Sequence, residues 1–238
     1  MDTEPNPKAT AADGTRAGDG AGAAPGARMA LGAGTARTAN YDGLFARLYD
    51  AVMWPAEKLF VGRWRRRLYG AAASAPGAPV LEIGAGTGAG FRFYAPGTEV
   101  VAVEPSAAMA ARARARARAA ADVTFVAASV EDLPFADGSF ECAIAALTWC
   151  SVADPPAGLA EVRRVLRPHG RLLLLEHVHL AWQPGRRLQS LAAPAWRRAA
   201  QGCRLDQDTV GLLEAAGFTV QRRRDHLWGW IVELEARR

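Results

Sequence analysis

The chain is poor in cysteine. Among its 238 residues only Cys142, Cys150 and Cys203 are cysteines, an odd number with no Cys-x-x-Cys pair. That pattern excludes a disulfide framework and a zinc ribbon, and it fits a reducing compartment. Long apolar runs are lacking too. A run such as Leu172 to Leu175 has the length of a strand, far below the ~20 residues of a membrane-spanning helix. The amino terminus carries Asp2 and Glu4 and has no charged-then-apolar signal pattern, so we expect a cytoplasmic, soluble chain.

Residues 1–38 lack aromatics and any apolar period. Four basic residues (Lys8, Arg16, Arg28, Arg37) meet four acids (Asp2, Glu4, Asp13, Asp19) amid Ala, Gly, Thr and Pro. This composition predicts a disordered tail. The remainder is different: the chain as a whole is 50% hydrophobic and 22% charged, enough for one α/β domain over 39–238. The net charge of +5 invites a nucleic-acid reading. The basic residues are mostly arginines spread through an Ala- and Gly-rich chain, with no nucleic-acid motif beside them, so no nucleic-acid partner is expected.

Tyr41 to Tyr69 carries apolar residues three and four apart, interrupted at Pro55. It predicts two N-terminal helices within 39–78. A βα alternation follows. Strands are predicted at Pro79–Ile83, Glu99–Val103, Val123–Ala127, Phe140–Ala146 and Arg171–His177. A helix is predicted to start near Gly88, others over Ser106–Ala121, Pro155–Leu166 and Asp208–Ala216, and an insertion with its own helix over 178–206. Two last strands, Phe218–Arg222 and Trp228–Glu235, follow; the second places Trp228, Trp230, Val232 and Leu234 on one face, as a half-exposed antiparallel strand would. The expected fold is α/β: a doubly wound, Rossmann-like, seven-stranded, mostly parallel sheet with an antiparallel final strand, binding ligands at the carboxyl ends of its strands. The Ala-Arg repeats of 106–121 set Arg112 and Arg116 as a like-charge i,i+4 pair, which reads as a solvated helix face.

The chemical signal is Val80-Leu81-Glu82-Ile83-Gly84-Ala85-Gly86-Thr87-Gly88. Glycines after a strand let the chain turn sharply and bring backbone N–H groups against a ligand. No Lys-Ser/Thr follows, which excludes a P-loop. Glu104, about twenty residues on, suits ribose hydroxyls of either a nicotinamide dinucleotide or S-adenosylmethionine. Glu82 favours the second, since a carboxylate helps to hold an ammonium or sulfonium and repels a pyrophosphate.

With Glu104-Pro105-Ser106, Glu131-Asp132-Leu133-Pro134-Phe135 and Leu166-Arg167-Pro168-His169-Gly170 added, the stretch Tyr41 to Glu235 resembles the class I S-adenosylmethionine-dependent methyltransferases. Within them, Trp149-Cys150-Ser151-Val152, Leu174-Leu175-Glu176-His177-Val178 and Gly202-Cys203 resemble the methyltransferase-like 7 group, associated with thiol acceptors, and the quinone- and phospholipid-methyltransferase branch. The resemblance implies an enzyme of class EC 2.1.1.- that methylates a small molecule, a thiol or an apolar metabolite. The alternatives are a non-catalytic S-adenosylmethionine-binding protein or a quinone or phospholipid methyltransferase.

The resemblance also implies roles. Gly84, Ala85, Gly86 and Gly88 would face the methionine and ribose portion, and Glu104 the ribose hydroxyls. Pro105, Ser129, Val130 and Glu131 would border the adenine, with Ser129 where the family often has Asp. Leu147 would lie under the reacting methyl. Methyl transfer from a sulfonium is an in-line displacement, for which the protein mainly supplies alignment and desolvation. A thiol acceptor, with a pKa of ~8.5, forms thiolate without help; an oxygen acceptor needs a base, for which His177 and Glu176 at a strand end are the candidates. No metal-ligand spacing is visible. The acceptor is expected between the N-terminal helices and the insertion, walled by Tyr41, Tyr49, Trp54, Trp182 and Trp196. The 178–206 insertion interleaves arginines with apolar residues, as a lid would, and as a segment in transient contact with a membrane surface would.

Overall fold

Short apolar runs bounded by Gly, Pro and Asp build the centre of the fold. The computed structural model describes residues 43–72, 78–117, 122–200 and 202–238; the expected tail at 1–38 and Tyr41 lie outside the described residues. Seven strands form one sheet: β1 (Val80–Ile83), β2 (Glu99–Val103), β3 (Asp122–Val126), β4 (Phe140–Ala146), β5 (Leu166–His177), β6 (Thr219–His226) and β7 (Ile231–Arg237). Their order is β3-β2-β1-β4-β5-β7-β6. The first five are parallel, and β7 runs antiparallel to both β5 and β6. The sheet is the doubly wound, mostly parallel one expected, with β2 and β4 ending at the residues the pattern predicts.

Helices cover both faces, as parallel strands require. Leu81 and Ile83 pack with Leu159, Val162, Leu172 and Leu174 on the face of α4 (Pro155–Val165) and α6 (Thr209–Ala215). Val80 packs with Trp64, Leu68, Ile144 and Leu173 on the face of α2 (Gly62–Gly70). Ser106 caps α3 (Ala107–Ala117), its Oγ accepting the Met109 N–H at 3.3 Å. Asp154 and Asp208 cap α4 and α6 in the same way. Among the described residues no helix is long and apolar enough to cross a membrane.

Four elements differ from expectation. Pro55 does not break the first helix: α1 (Gly43–Ala56) runs through it, and one π-helical turn, Glu57–Val61, absorbs the irregularity before α2. There Gly62 donates to the Glu57 carbonyl five residues back, which keeps the backbone paired across the defect. No α-helix starts near Gly88. Phe91–Phe93 forms a single 3-10 turn, because Pro96 and Gly97 end the segment before a second turn can form. Strand β5 starts at Leu166, five residues early, and steps over a bulge containing His169, whose φ is +64°. Trp228 and Trp230 are not strand residues. Leu227–Gly229 is a turn with Trp228 at φ +57° and 92% exposed. Strand β7 is interior and buried on both faces, and the exposed edge is β6.

Candidate active site

Strands β1 and β4 are neighbours whose connections leave toward opposite faces, so a crevice opens at their carboxyl ends. It is an open cleft of about 920 Å³ counting the solvent space of its mouth. Its walls are Ile83 to Thr87 with Ala89 after β1, Val103 to Pro105 with Met109, Ser129 to Glu131 after β3, and Ala146 to Thr148 with Ser151 to Ala153 after β4. Tyr49 of α1 and Arg65 of α2 complete the wall.

The glycine loop has the geometry its composition demands. Gly84 has φ +63° and Gly86 φ +57°, conformations that L side chains rarely adopt. A Cβ on Gly84 would lie 2.3 Å from Thr148 Cγ2, so the loops after β1 and β4 meet only because that side chain is missing. A Cβ on Gly86 would find its nearest protein atom, the Gly84 carbonyl oxygen, 3.9 Å away. The bare side of Gly86 is open space at the cleft.

Glu104 stands at the end of β2, 5% exposed. Its Oε2 accepts the Gly86 N–H and its Oε1 the Ser106 N–H, both at 2.8 Å. Burial pushes its pKa up, against the pull of these two donors. Both oxygens are thereby oriented and keep lone pairs for further donors. The Ser129 hydroxyl donates to Glu131, whose other oxygen accepts the N–H groups of Ala153 and Asp154 at 3.0 and 3.2 Å. Leu147 turns the chain out of β4 at φ +60°.

Of the eleven residues expected at the cofactor, nine line this cleft: Gly84, Ala85, Gly86, Glu104, Pro105, Ser129, Val130, Glu131 and Leu147. Gly88 does not; it packs below against Phe91 and Ala113. Glu82 does not either. Strand alternation turns it to the α2 face, where its carboxylate accepts the hydroxyls of Tyr69 at 2.8 Å and Tyr94 at 3.0 Å. Burial lifts its pKa to about 7 despite these donors and the nearby Arg65.

Three contributors were missed. Arg65 is buried on the apolar stripe Val61, Trp64, Leu68 and Tyr69 of the helix, paired with Glu57 at 3.3 Å. An arginine at that helical spacing is the signal that could have found it. Thr87 is buried, and its hydroxyl donates to Asp50 of α1 at 2.7 Å. Asp50 also accepts from Arg112 at 2.8 Å and Arg116 at 2.7 Å, and Arg116 donates to the Thr87 carbonyl at 2.8 Å. The expected solvated face of the Ala-Arg helix is therefore a clamp that binds α1 and α3 to the glycine loop.

The two candidate bases lie outside the cleft wall. Glu176 is fully buried, and its Oε1 accepts the N–H groups of Thr148 at 2.7 Å and Trp149 at 3.0 Å. It fixes the loop leaving β4. The Nε2 of His177 lies 2.9 Å from Cys203 Sγ, and its ring stacks on Trp230 at 6.5 Å. Cys150 joins them: the ligand atoms of Cys150, His177 and Cys203 all lie within 4.8 Å of one another. Of the expected aromatic walls, Tyr49 reaches the cleft, while Trp54 and Trp182 are exposed.

Residues 81–174 match the family model described as methyltransferase domain. The chain is 35% identical over 178 residues to thiol S-methyltransferase TMT1B of Homo sapiens, covering 71% of this chain and 73% of that protein. The chain belongs to the class I S-adenosylmethionine-dependent methyltransferases. Thiol S-methyltransferase TMT1A of Homo sapiens is 32% identical, over 65% of this methyltransferase and 70% of that protein. Demethylmenaquinone methyltransferase of Renibacterium salmoninarum is 37% identical over 52% of each chain. In fold, the methyltransferase is similar to geranyl diphosphate C-methyltransferase from Streptomyces coelicolor A3(2), with a TM-score of 0.61 and 17% identity over 80% of this chain and 84% of that one.

The enzyme transfers a methyl group from S-adenosylmethionine to a small molecule, and its cleft fits that cofactor. The bare face of Gly86 admits a ligand against the backbone, Glu104 offers oriented acceptor oxygens, and Met109 and Val130 supply apolar wall.

Proposed function

We propose that this enzyme methylates the sulfur of a small thiol. The observation that carries this reading is the absence, among the described residues of the cleft wall, of a side chain suited to take a proton near neutral pH. No histidine lines it. Burial pushes the Tyr49 phenol up to about 12, and Glu104 and Glu131 are both engaged by backbone N–H groups. A thiol is far more acidic than an alcohol, the cysteine thiol ionising near ~8.5, and its sulfur is strongly nucleophilic, so it asks least of such a site. The two thiol S-methyltransferases are also matched over more than two thirds of their length, the quinone methyltransferase over about half.

In this reading Gly84, Ala85 and Gly86 meet the methionine and ribose portion of the cofactor. Glu104 takes the ribose hydroxyls, while Pro105, Val130 and the Ser129–Glu131 pair edge the adenine. Arg65 suits the amino-acid carboxylate. Leu147 closes the floor below the reacting centre. When bound, S-adenosylmethionine supplies a methyl group already activated on a sulfonium; these residues supply alignment and exclusion of water. Glu176 is a positioning residue, acting through Thr148 and Trp149, and Glu82 acts through Tyr69 and Tyr94.

In this reading helix α5 (Gln183–Ala199) acts as a lid on the acceptor side. It carries Arg186, Arg187, Arg197 and Arg198, no acid, and exposed Leu188 and Leu191. Such a face suits transient contact with an anionic membrane surface, from which an apolar thiol can be drawn. Three free, buried cysteines fit the cytoplasm.

The test is turnover. The enzyme is incubated with S-adenosylmethionine and, in turn, an alkyl thiol, a hydroquinone and an ethanolamine phospholipid, and methylated product is read by mass spectrometry. Methyl thioether from the thiol, lost in Glu104→Ala together with calorimetric binding of S-adenosylhomocysteine, is expected. Product from the hydroquinone or the phospholipid alone would overturn the thiol reading.

A further inference from the structure

Cys150, His177 and Cys203 come from three separate segments: the turn after β4, the end of β5, and the chain after α5. They are 27 and 26 residues apart in sequence, so no spacing rule connects them. The sheet topology brings all three to the same end of adjacent strands. The Arg204 N–H donates to the Cys150 carbonyl at 2.8 Å, which pins the second cysteine segment against the first. All three side chains are buried, and their ligand atoms lie within 4.8 Å of one another.

From this convergence we infer that Cys150, His177 and Cys203 form a binding site for a soft divalent metal ion of the zinc class. Two thiolates and one imidazole match that ion and reject magnesium and calcium, which need oxygen ligands. A tetrahedral site with Zn–S of ~2.3 Å and Zn–N of ~2.0 Å has ligand–ligand edges of about 3.5–3.8 Å. The 2.9 Å contact between His177 Nε2 and Cys203 Sγ must open by less than about 1 Å, and the widest pair, within 4.8 Å, must close by about 1.3 Å at most to reach those edges. Side-chain rotation suffices for both.

Charge favours the same ion. Two thiolates cancel a 2+ charge, and the resulting neutral complex is tolerated in a buried setting where a lone thiolate is not. One fixed donor is already aimed at a sulfur, and a hydroxyl lies beside the other. The Trp196 indole N–H points to Cys203 Sγ at 3.3 Å, and the Ser151 hydroxyl lies 3.5 Å from Cys150 Sγ. Metal-bound thiolates accept such bonds. Three protein ligands leave a fourth position for an exogenous ligand, and Trp196 makes the metal a tie between α5 and the sheet.

The test uses the full chain, freed of metal by chelator under reducing conditions, and titrated with Co²⁺ and then Zn²⁺. One equivalent of Co²⁺ should produce thiolate-to-metal charge-transfer absorption in the near ultraviolet, abolished by one equivalent of Zn²⁺. Zn²⁺ at a hundredfold excess over its dissociation constant should also raise the unfolding midpoint, as expected for a ligand bound only by the folded state. Cys150→Ser, Cys203→Ser and His177→Ala should each lose or blue-shift the band, while Cys142→Ser, buried within β4, should keep it. Circular dichroism shows whether each variant is folded; because the Co²⁺ spectrum of the unaltered protein decides on its own, an unfolded variant does not rescue the idea. Absence of charge-transfer absorption in the unaltered protein, its persistence in Cys150→Ser and Cys203→Ser, or a Cys150–Cys203 disulfide as the stable state under mild reduction would each overturn the assignment.

Discussion

The Asp50 carboxylate accepts the Thr87 hydroxyl at 2.7 Å, and this bond joins the first helix to the glycine loop. Around it, Arg112 and Arg116 converge on the same carboxylate. Two arginines that would repel each other along α3 are neutralised by one acid from another element. The cofactor wall is therefore as rigid as this clamp. Asp50→Asn keeps an acceptor for Thr87 but leaves both guanidinium groups unneutralised. The arginines are more than a third exposed, so screening reduces the effect. Binding of S-adenosylhomocysteine should weaken about 5- to 10-fold, or ~1 kcal/mol, with less difference at high salt. Calorimetry at two ionic strengths checks this, and an unchanged affinity would show that the clamp does not support the cleft.

How much of this was legible depends on whether the signal was local. Strands β2 and β4 were readable to the residue because they are apolar runs bounded by Gly, Pro or Asp. Glu104 was readable because a strand end followed by Pro105 fixes where it points. Glu82 was not, because its partners Tyr69 and Tyr94 belong to elements whose packing no local pattern specifies. Trp228 and Trp230 mimicked strand alternation, and nothing nearby except Gly229 signals the left-handed turn that removes them from β7. The meeting of Cys150, His177 and Cys203 is a product of strand order and of the pairing of the chain after α5 with the turn after β4.

Glu82 gives the enzyme a pH dependence of definite sign. Its pKa in the folded state is about 7, above the ordinary carboxylate value, because burial disfavours the charged form. Between about pH 4.5 and 7 the folded state holds a proton that the unfolded chain has released, so stability falls as pH rises through that window. The full loss is at most about 3 kcal/mol. Glu82→Gln keeps a partner for the Tyr69 and Tyr94 hydroxyls and removes the titration. Its unfolding midpoint should lie above that of the unaltered enzyme at about pH 8 and approach it at about pH 5. A constant difference at all pH values would show that Glu82 is not the titrating group.

Two glycines of the same loop should fail in different ways. Alanine at either must adopt a left-handed conformation, costing roughly 1–2 kcal/mol. Gly84→Ala adds a clash with Thr148 across the β1–β4 crevice, and should lower the unfolding midpoint strongly. Gly86→Ala meets no protein atom closer than 3.9 Å, so the fold should survive with only the conformational cost while S-adenosylhomocysteine binding falls by at least tenfold. Thermal unfolding and calorimetry on the pair separate the effects. Equal loss of stability with intact binding in Gly86→Ala would mean that the cofactor does not approach the loop there.

Helix α5 is held to the sheet side by Gln189, Arg186 and Trp196 and exposes apolar residues on its outer face. Buried Gln189 accepts the Leu180 N–H at 2.9 Å and donates to the carbonyls of Val178 at 3.1 Å and Leu205 at 2.6 Å. Leu188 and Leu191 beside it are 69% and 79% exposed. A helix whose base is fixed and whose apolar residues meet water, with four arginines and no acid, gains energy by lying on an anionic bilayer. Each apolar side chain that leaves water contributes about 1–2 kcal/mol, and each arginine near the surface about 1 kcal/mol that salt weakens. The enzyme should therefore sediment with phosphatidylserine-containing vesicles, less with phosphatidylcholine alone, and less again at high salt. Leu188→Glu with Leu191→Glu should abolish sedimentation without changing S-adenosylhomocysteine binding, since neither residue lines the cleft. If the double variant still sediments, the arginines act without the apolar face; if the unaltered enzyme stays in the supernatant, α5 is a lid and nothing more.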